Sequence, residues 1–275
     1  MHSSDLSLCS LLRDRLEIHD LVNRYAAGVD RRDFELVASC FTPDVQVTGW
    51  GGRDLADRDD LIELISGVAV FDMTMHMMGN QRIEVHGDGA WVVSRAMLAH
   101  RLRRPDSSMY ELNVEDARYT ERLARREGGW VITQRGGDDP VGSDQLARCS
   151  TSDPVLRWLL DRAIDDEQRA RGKPFVGITV GTAPPPAVRE ASPGVRSLVD
   201  RATIRDAVVQ ATSHETRTVL NNHVAVIEGD EATAETYAYV GEPWHEGALR
   251  FVDRLVREGD VWRVVDRRAT DNWLR

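Results

Sequence analysis

The stretch "TMHMMGNQRIEVHGDGA", residues 74–90, places one histidine among methionines and then runs into a strand pattern with a tight turn. The turn letters "HGDG" are followed by "AWVVSRAMLAHRL", which reads as a long strand paired to the first. Downstream, "MYELNVEDARYTERL", "REGG" and "WVITQR" repeat the same strand–turn–strand pattern. The stretch therefore predicts a meander of about four to five antiparallel strands.

Upstream of this meander the pattern changes from strand to helix. Residues 11–30 carry an apolar stripe at helical spacing, formed by Ile18, Leu21, Val22, Tyr25 and Val29. A short second helix follows around residues 34–41, "VQVTGW" reads as a short strand, and "DRDDLIELISGV" reads as a third helix with acidic residues in its first turn. Helices on one side of an antiparallel sheet predict an α+β fold.

The sequence then repeats itself in order. "RATIRDAV" (201–208) matches "RLEIHDLV" (15–22), "TRTVLNNHVAVIEGDEA" (216–232) matches the opening stretch, and "RLVREGDVWRVVDR" (254–267) matches "RLARREGGWVITQR" (122–135). The shrinking separations indicate a tandem duplication whose second copy is truncated. We expect a complete domain over residues 1–150, a helix and Gly/Pro-rich linker over 151–194, and a degenerate copy over 195–275.

Composition restricts the class of function. The chain has 275 residues, 41% of them hydrophobic, and a net charge of −10, so we expect a globular protein without a nucleic-acid partner. It has no apolar run long enough to span a membrane and no apolar N-terminal segment typical of a signal peptide. Its three cysteines are far apart and lack metal-binding spacing, so reduced thiols and a cytoplasmic location are expected.

The order of motifs resembles a known family. A helix with "Y-x4-D-x2-D", a Phe/Pro turn, a strand, a short helix, "T-x-H-x3-N" and a GDG hairpin together resemble the SnoaL-like branch of the nuclear transport factor 2 fold. The resemblance covers nearly all of residues 10–142 and, more weakly, 195–275. It implies a cone of helices and a strongly curved antiparallel sheet around an apolar cavity, here duplicated with a truncated second copy.

Within that branch the first copy is most similar to scytalone dehydratase, bile-acid 7α-dehydratase and lindane dehydrochlorinase. The resemblance implies a catalytic Asp–His dyad formed by Asp30, at the end of the first helix, and His76, on the strand after the third helix. It also matches Tyr25 to a tyrosine of the bile-acid enzyme and places His100 near a second histidine of scytalone dehydratase. Arg135 matches an active-site arginine of the dehydrochlorinase.

The resemblance does not identify the substrate. Ala117 and Tyr119 stand near the positions where scytalone dehydratase uses a serine and an asparagine, and Trp50 stands near one of its tyrosines. We expect Trp50, Tyr119 and Arg135, with Met78 and Asn80, to contact the substrate.

A carboxylate bonded to one imidazole nitrogen fixes the tautomer and stabilises the imidazolium that forms. An apolar surround from Met73, Met75, Met77 and Met78 would exclude water. This suits removal of a proton beside a carbonyl, followed by loss of water or another β-leaving group. In that chemistry Tyr25 would hydrogen-bond the enolate or leaving group, and His100 would protonate a departing hydroxyl, with no metal or cofactor required.

Each candidate also has a structural alternative. Tyr25 lies on the apolar stripe and could be core, and Asp30 could be a solvated helix end or cap the following turn. His100 could be a satisfied core histidine, and Arg135 could form a surface ion pair. The second copy is an internal control, because His76 becomes Thr218 while Asn80 and Trp130 recur as asparagine and tryptophan (Asn222 and Trp262).

The expected function is that of a cofactor-independent lyase, a dehydratase acting on a hydrophobic cyclic or polyketide-like small molecule. An isomerase or aldol cyclase would use the same enolate chemistry without a leaving group. A non-catalytic binding or assembly module is the third alternative, and formation of a homo-oligomer stays open.

Overall fold

The computed structural model describes residues 3–50, 52–103, 110–138, 145–172, 183–212, 217–242 and 245–271. These residues form two compact units. One comprises residues 15–138, and the other comprises residues 3–14, 145–172 and 183–271. The predicted boundaries near residues 150 and 194 stay a prediction, and residues 173–182 of the predicted linker lie outside the described residues.

Three helices belong to the N-terminal half of the chain: α1 (Ser3–Arg31), α2 (Phe34–Ser39) and α3 (Arg58–Ser66). A 3-10 turn, Gly67–Val70, follows α3. The predicted stripe of α1 is confirmed, because all five of its apolar side chains are buried. Asp33 and Asp57 cap the shorter helices by accepting hydrogen bonds from the N–H groups of Leu36 and Asp60.

Six strands form the first sheet: β1 (Phe41–Trp50), β2 (Arg53–Leu55), β3 (Met73–His86), β4 (Gly89–Arg103), β5 (Tyr110–Arg126) and β6 (Gly129–Arg135). Their order is β2-β1-β6-β5-β4-β3. The predicted antiparallel meander runs from β3 to β6. Strand β1 extends it by pairing with β6 in parallel, with Phe41 opposite Ile132.

A bulge interrupts the pairing of β3 with β4. Gly79 lies opposite Arg95 whereas Arg82 lies opposite Val93, so β3 carries an extra residue at this point. Asn80, at the bulge, has a left-handed backbone with φ 52°. Because asparagine tolerates this conformation better than most residues, the bulge gives a backbone reason for this asparagine.

The second unit repeats a reduced version of this plan. It contains α4 (Pro154–Gly172), a 3-10 turn (Pro186–Glu190), α5 (Pro193–Thr212) and the strands β7 (Arg217–Glu228), β8 (Glu231–Glu242), β9 (His245–Glu258) and β10 (Val261–Asp271). The strands form an antiparallel sheet in the order β10-β9-β8-β7. Only residues 213–216 separate α5 from β7, which leaves no room for counterparts of α2, β1, β2 and α3.

Helix α5 packs against this second sheet. Ile204 and Val208 of the helix share a core with Ala234, Leu255 and Trp262 of the strands. Asn222 sits in a bulge between β7 and β8 with φ 45°, as Asn80 does in the first sheet. The second copy is therefore the smaller of the two. Among all described helices, none combines the length and the apolar character needed to cross a membrane.

Candidate active site

The last turn of α1 and the start of β3 bring Asp30 and His76 together. His76 Nδ1 lies 2.7 Å from Asp30 Oδ1, and the backbone N–H of His76 donates to Asp30 Oδ2 at 2.9 Å. Their side chains are only 5% and 6% exposed, respectively. A carboxylate that accepts from both the ring and the backbone of one histidine fixes the position of the imidazole. It also makes Nδ1 the protonated nitrogen of the neutral ring.

Thr74 holds the carboxylate from the same strand. Its Oγ1 donates to Asp30 Oδ1 at 3.1 Å. Alternate residues of a strand share a face, so the T-x-H spacing places the hydroxyl and the imidazole side by side. Thr74 is not among the site residues predicted above, although the T-x-H pattern contained the signal.

Arg32 is a second residue that the sequence does not single out. Its Nη1 donates to the backbone oxygen of Asp30 at 2.9 Å and to Thr74 Oγ1 at 2.7 Å. Its Nη2 donates to the backbone oxygens of Val68 at 3.3 Å and Phe71 at 3.0 Å. In the run "DRRD" nothing distinguishes Arg32 from its exposed neighbour Arg31, because the difference lies in the three-dimensional contacts.

His100, on β4, lies directly opposite Thr74 of β3, and its side chain faces the same side of the sheet. Its ring centroid is 5.9 Å from that of His76, and it stacks on Phe71 at 4.8 Å with an interplanar angle of 16°. In the described part of the chain its Nε2 has no hydrogen-bond partner. Burial and the neighbouring His76 lower the pKa of His100, so this ring is neutral near neutral pH.

Tyr25, Trp50 and Tyr119 surround the guanidinium of Arg135, whose Cζ lies 3.9, 4.9 and 4.9 Å from their ring centroids. Tyr119 contacts both other rings edge-on, at 6.2 Å in each case. Burial raises the pKa of both tyrosine hydroxyls, which keeps them protonated as hydrogen-bond donors. The three predicted aromatic residues therefore come together in one cluster.

Arg135 forms a buried ion pair. Its Nε donates to Glu121 Oε1 at 2.8 Å, and the Arg135 and Glu121 side chains are 5% and 1% exposed. The alternative of a surface ion pair is therefore wrong for Arg135. Its role as a substrate contact stays a prediction, and so do those of Trp50 and Tyr119.

Of the four methionines expected around His76, only Met78 shares its face of the sheet. Met78 is buried and lies opposite Ala96. Met73, Met75 and Met77 are buried on the opposite face because side chains alternate along a strand. The expectation that all four line the imidazole is therefore wrong.

Asn80 is also buried, at the bulge described above. Its contact with a substrate stays a prediction, as does that of Met78. Among the residues that the structure describes, no group of three or more His, Cys, Asp or Glu side chains is placed to hold a metal ion.

Comparison with known proteins identifies a family profile that matches two segments of the chain. The profile described as "SnoaL-like domain" matches residues 10–136 and 187–268, and these two segments fit a tandem arrangement. Uncharacterized proteins of Mycobacterium tuberculosis and Mycobacterium bovis are 32% identical to the chain over 93 residues. The match covers 31% of this chain and 61% of each relative, so the chain spans less than two thirds of their length.

Solved structures with a similar fold include a putative dehydratase of the NTF2-like family from Streptomyces avermitilis (19% identity, TM-score 0.42, 45% of this chain and 94% of that one). Another is a putative scytalone dehydratase from Novosphingobium aromaticivorans (22% identity, TM-score 0.41, 46% and 83%). A third is LinA (24% identity, TM-score 0.40, 46% and 87%). Likeness at this level carries no argument about activity.

Proposed function

The chain belongs to the SnoaL-like domain family, and from that premise we propose that it is a cofactor-independent lyase. Its reaction is a dehydratase-type elimination on a hydrophobic cyclic or polyketide-like molecule. The observation that supports this most is the buried hydrogen bond of 2.7 Å between His76 Nδ1 and Asp30 Oδ1. In such a pair the imidazole acts as base through Nε2, and the carboxylate stabilises the imidazolium.

The first step is removal of a proton from the carbon beside a substrate carbonyl. His76 Nε2 takes the proton, and the C–H electron pair moves into the carbonyl to form an enolate. The hydroxyl of Tyr25 is buried and stays protonated, so it suits donation of a hydrogen bond to the enolate oxygen. Positioned proton transfer of this kind contributes about 10²- to 10⁴-fold to the rate.

The second step breaks the bond between the β-carbon and its hydroxyl. The enolate electrons re-form the carbonyl and the new C=C bond, and the hydroxyl leaves with one proton as water. The imidazolium of His76 donates this proton, which is the one that its Nε2 removed in the first step. His100 is the weaker candidate for the acid because its lowered pKa keeps it neutral, and it instead serves as a hydrogen-bond partner of the leaving group.

The test uses 3-hydroxy-1-tetralone, a bicyclic β-hydroxy ketone, as the first of a panel of such probes in D₂O. A dehydratase gives a product lighter by one water, and substitutions His76→Ala and Asp30→Asn should lower turnover by about 10²-fold or more. The matched control is His86→Ala, since His86 lies on the same strand with its side chain 63% exposed and should be dispensable.

The other outcomes separate the alternatives. Deuterium incorporated beside the carbonyl without loss of water indicates an isomerase or aldol cyclase using the same pair. Binding of the probes without turnover or exchange, equally in wild type and both variants, indicates a binding module. Either of these results overturns the dehydratase proposal.

A further inference from the structure

We propose that Arg32 is a positioning residue for both histidines of the site, supporting His76 through hydrogen bonds and His100 through Phe71, whose ring stacks on it. The expected effect on turnover rests on the proposed lyase function. The structural role of Arg32 rests on the contacts of its guanidinium. No motif predicts it, because the arginine touches backbone oxygens and a hydroxyl contributed by three separate segments.

One side of the guanidinium supports the dyad. Nη1 donates to the backbone oxygen of Asp30 and to the hydroxyl of Thr74, and that hydroxyl in turn donates to the Asp30 carboxylate. The Asp30 carboxylate then binds His76 through ring and backbone. The orientation of the His76 ring therefore depends on Arg32 through two intermediate residues.

The other side supports the second histidine. Nη2 donates to the backbone oxygens of Val68, in the 3-10 turn, and Phe71, just beyond it. The ring of Phe71 stacks on His100 at 4.8 Å. A planar guanidinium can serve both sides at once because its donors are fixed in one plane, whereas a lysine ammonium is a point charge on a flexible stem.

The backbone conformation of Arg32 is unusual for an arginine. Its φ of 58° lies in the left-handed region, which is unfavourable for a side chain such as arginine. Glycine would adopt this conformation without strain. The end of α1 imposes it, because the N–H groups of Arg32 and Asp33 donate to the backbone oxygens of Val29 and Gly28. Arginine stands at this position instead of glycine and makes side-chain contacts that glycine cannot make.

Arg32 also acts on His100 through charge. The charged or titratable groups that influence His100 are His76 on β3, Glu115 on β5, Asp30 on α1 and Arg32 itself. His76 and Arg32 disfavour protonation of His100, while Glu115 and Asp30 favour it. Removal of the arginine charge should therefore raise the pKa of His100. Removal of a side chain that acts only through packing would not change this pKa.

The experiment compares Arg32→Lys and Arg32→Gly with the same substitutions at Arg31, which is exposed on the adjacent position of the helix. Imidazole resonances of His76 and His100 are followed by NMR as a function of pH in the full chain. We expect both Arg32 variants to shift the His76 resonances, and Arg32→Gly to raise the pKa of His100. The Arg31 variants should match wild type.

Turnover of 3-hydroxy-1-tetralone should fall about 10- to 100-fold in kcat for Arg32→Lys, with KM little changed, because misplacement of the base affects the chemical step. Resonances and kcat in the Arg32 variants that equal those of the Arg31 variants would overturn the proposal. The NMR result stands without turnover, so failure of the lyase function and failure of this inference are distinguishable. Arg32→Gly relieves the backbone strain, which guards against a variant that does not fold.

Discussion

The guanidinium of Arg267 binds both carboxylate oxygens of Asp253, with Nε 2.6 Å from Oδ1 and Nη2 2.8 Å from Oδ2. The two residues face each other across β9 and β10, and Arg267 also lies over the ring of Phe251 at 4.5 Å. Arg135 and Glu121 face each other in the same way across β5 and β6. The smaller copy thus has an arginine–carboxylate pair, although Thr218 stands at the position that matches His76. This indicates that the pair supports the sheet.

Breaking this pair should destabilise the second unit. Asp253 has no exposed side-chain surface, whereas 20% of the Arg267 side chain is exposed. Among the described residues, Asp253→Ala leaves the guanidinium with only its hydrogen bonds to Thr212 Oγ1 and the backbone oxygen of Val208. We expect a loss of about 1.5–3 kcal/mol in local stability, the range for hydrogen bonds to charged groups. Hydrogen exchange of peptides from β9 and β10 measures it. The double variant Asp253→Leu with Arg267→Met is the control and should be more stable than Asp253→Ala; if it is not, the charge pair is not the cause.

The bulge asparagines provide a prediction about the backbone. Asn222 has φ 45°, so a residue with a Cβ that lacks the asparagine side chain should be strained there. We expect Asn222→Ala to be less stable than Asn222→Gly by about 1 kcal/mol. Both variants lack the amide, so their difference isolates the backbone term. Thermal unfolding measures it, and equal stability of the two would contradict the interpretation.

Thr74 allows the orientation of Asp30 to be tested without touching the dyad. Thr74→Val keeps the shape of the side chain but removes the hydroxyl that donates to Asp30 and accepts from Arg32. Because the carboxylate then loses one of its positioning bonds, we expect kcat for the tetralone probe to fall about 10-fold or more. Thr74→Ser retains the hydroxyl and should retain most of the activity. A serine variant as slow as the valine variant would point to packing instead.

Local patterns predicted much of this fold. The stripe of α1 and the hairpins from β3 to β6 follow from periodicities of a few residues, and the structure has both. The parallel pairing of β1 with β6 was not predictable in this way, because it joins segments far apart in the sequence whose own patterns say nothing about their neighbour. The methionine error has a related cause, since residues adjacent in sequence lie on opposite faces of a strand.

The same distinction, between local patterns and contacts distant in sequence, applies to the residues of the site. Asp30 and His76 were predicted through resemblance, because each is a fixed position in a recurring motif. Arg32 and Thr74 act through hydrogen bonds to residues up to 44 positions away, and a long polar side chain gives no local sign of where its donors go. Resemblance to a motif thus identifies the reacting groups, whereas the residues that orient them require coordinates.

The lowered pKa of His100 makes stability depend on pH. The usual pKa of 6.5 applies to the unfolded chain, and the folded value lies below it because burial and His76 disfavour the charged ring. The unfolded state therefore binds protons first as the pH falls, so His100 contributes stability that is present above about pH 6.5 and is lost as the pH falls through the folded pKa.

We expect wild type to lose more stability than His100→Gln between neutral and mildly acidic pH, as measured by urea unfolding at a series of pH values. The variant keeps a polar side chain but cannot titrate, so the difference between the two curves reports the titration of His100 together with its coupling to His76. Parallel curves would mean that the ring is not held neutral by its surroundings, and His100 would regain its place as the acid for the leaving hydroxyl.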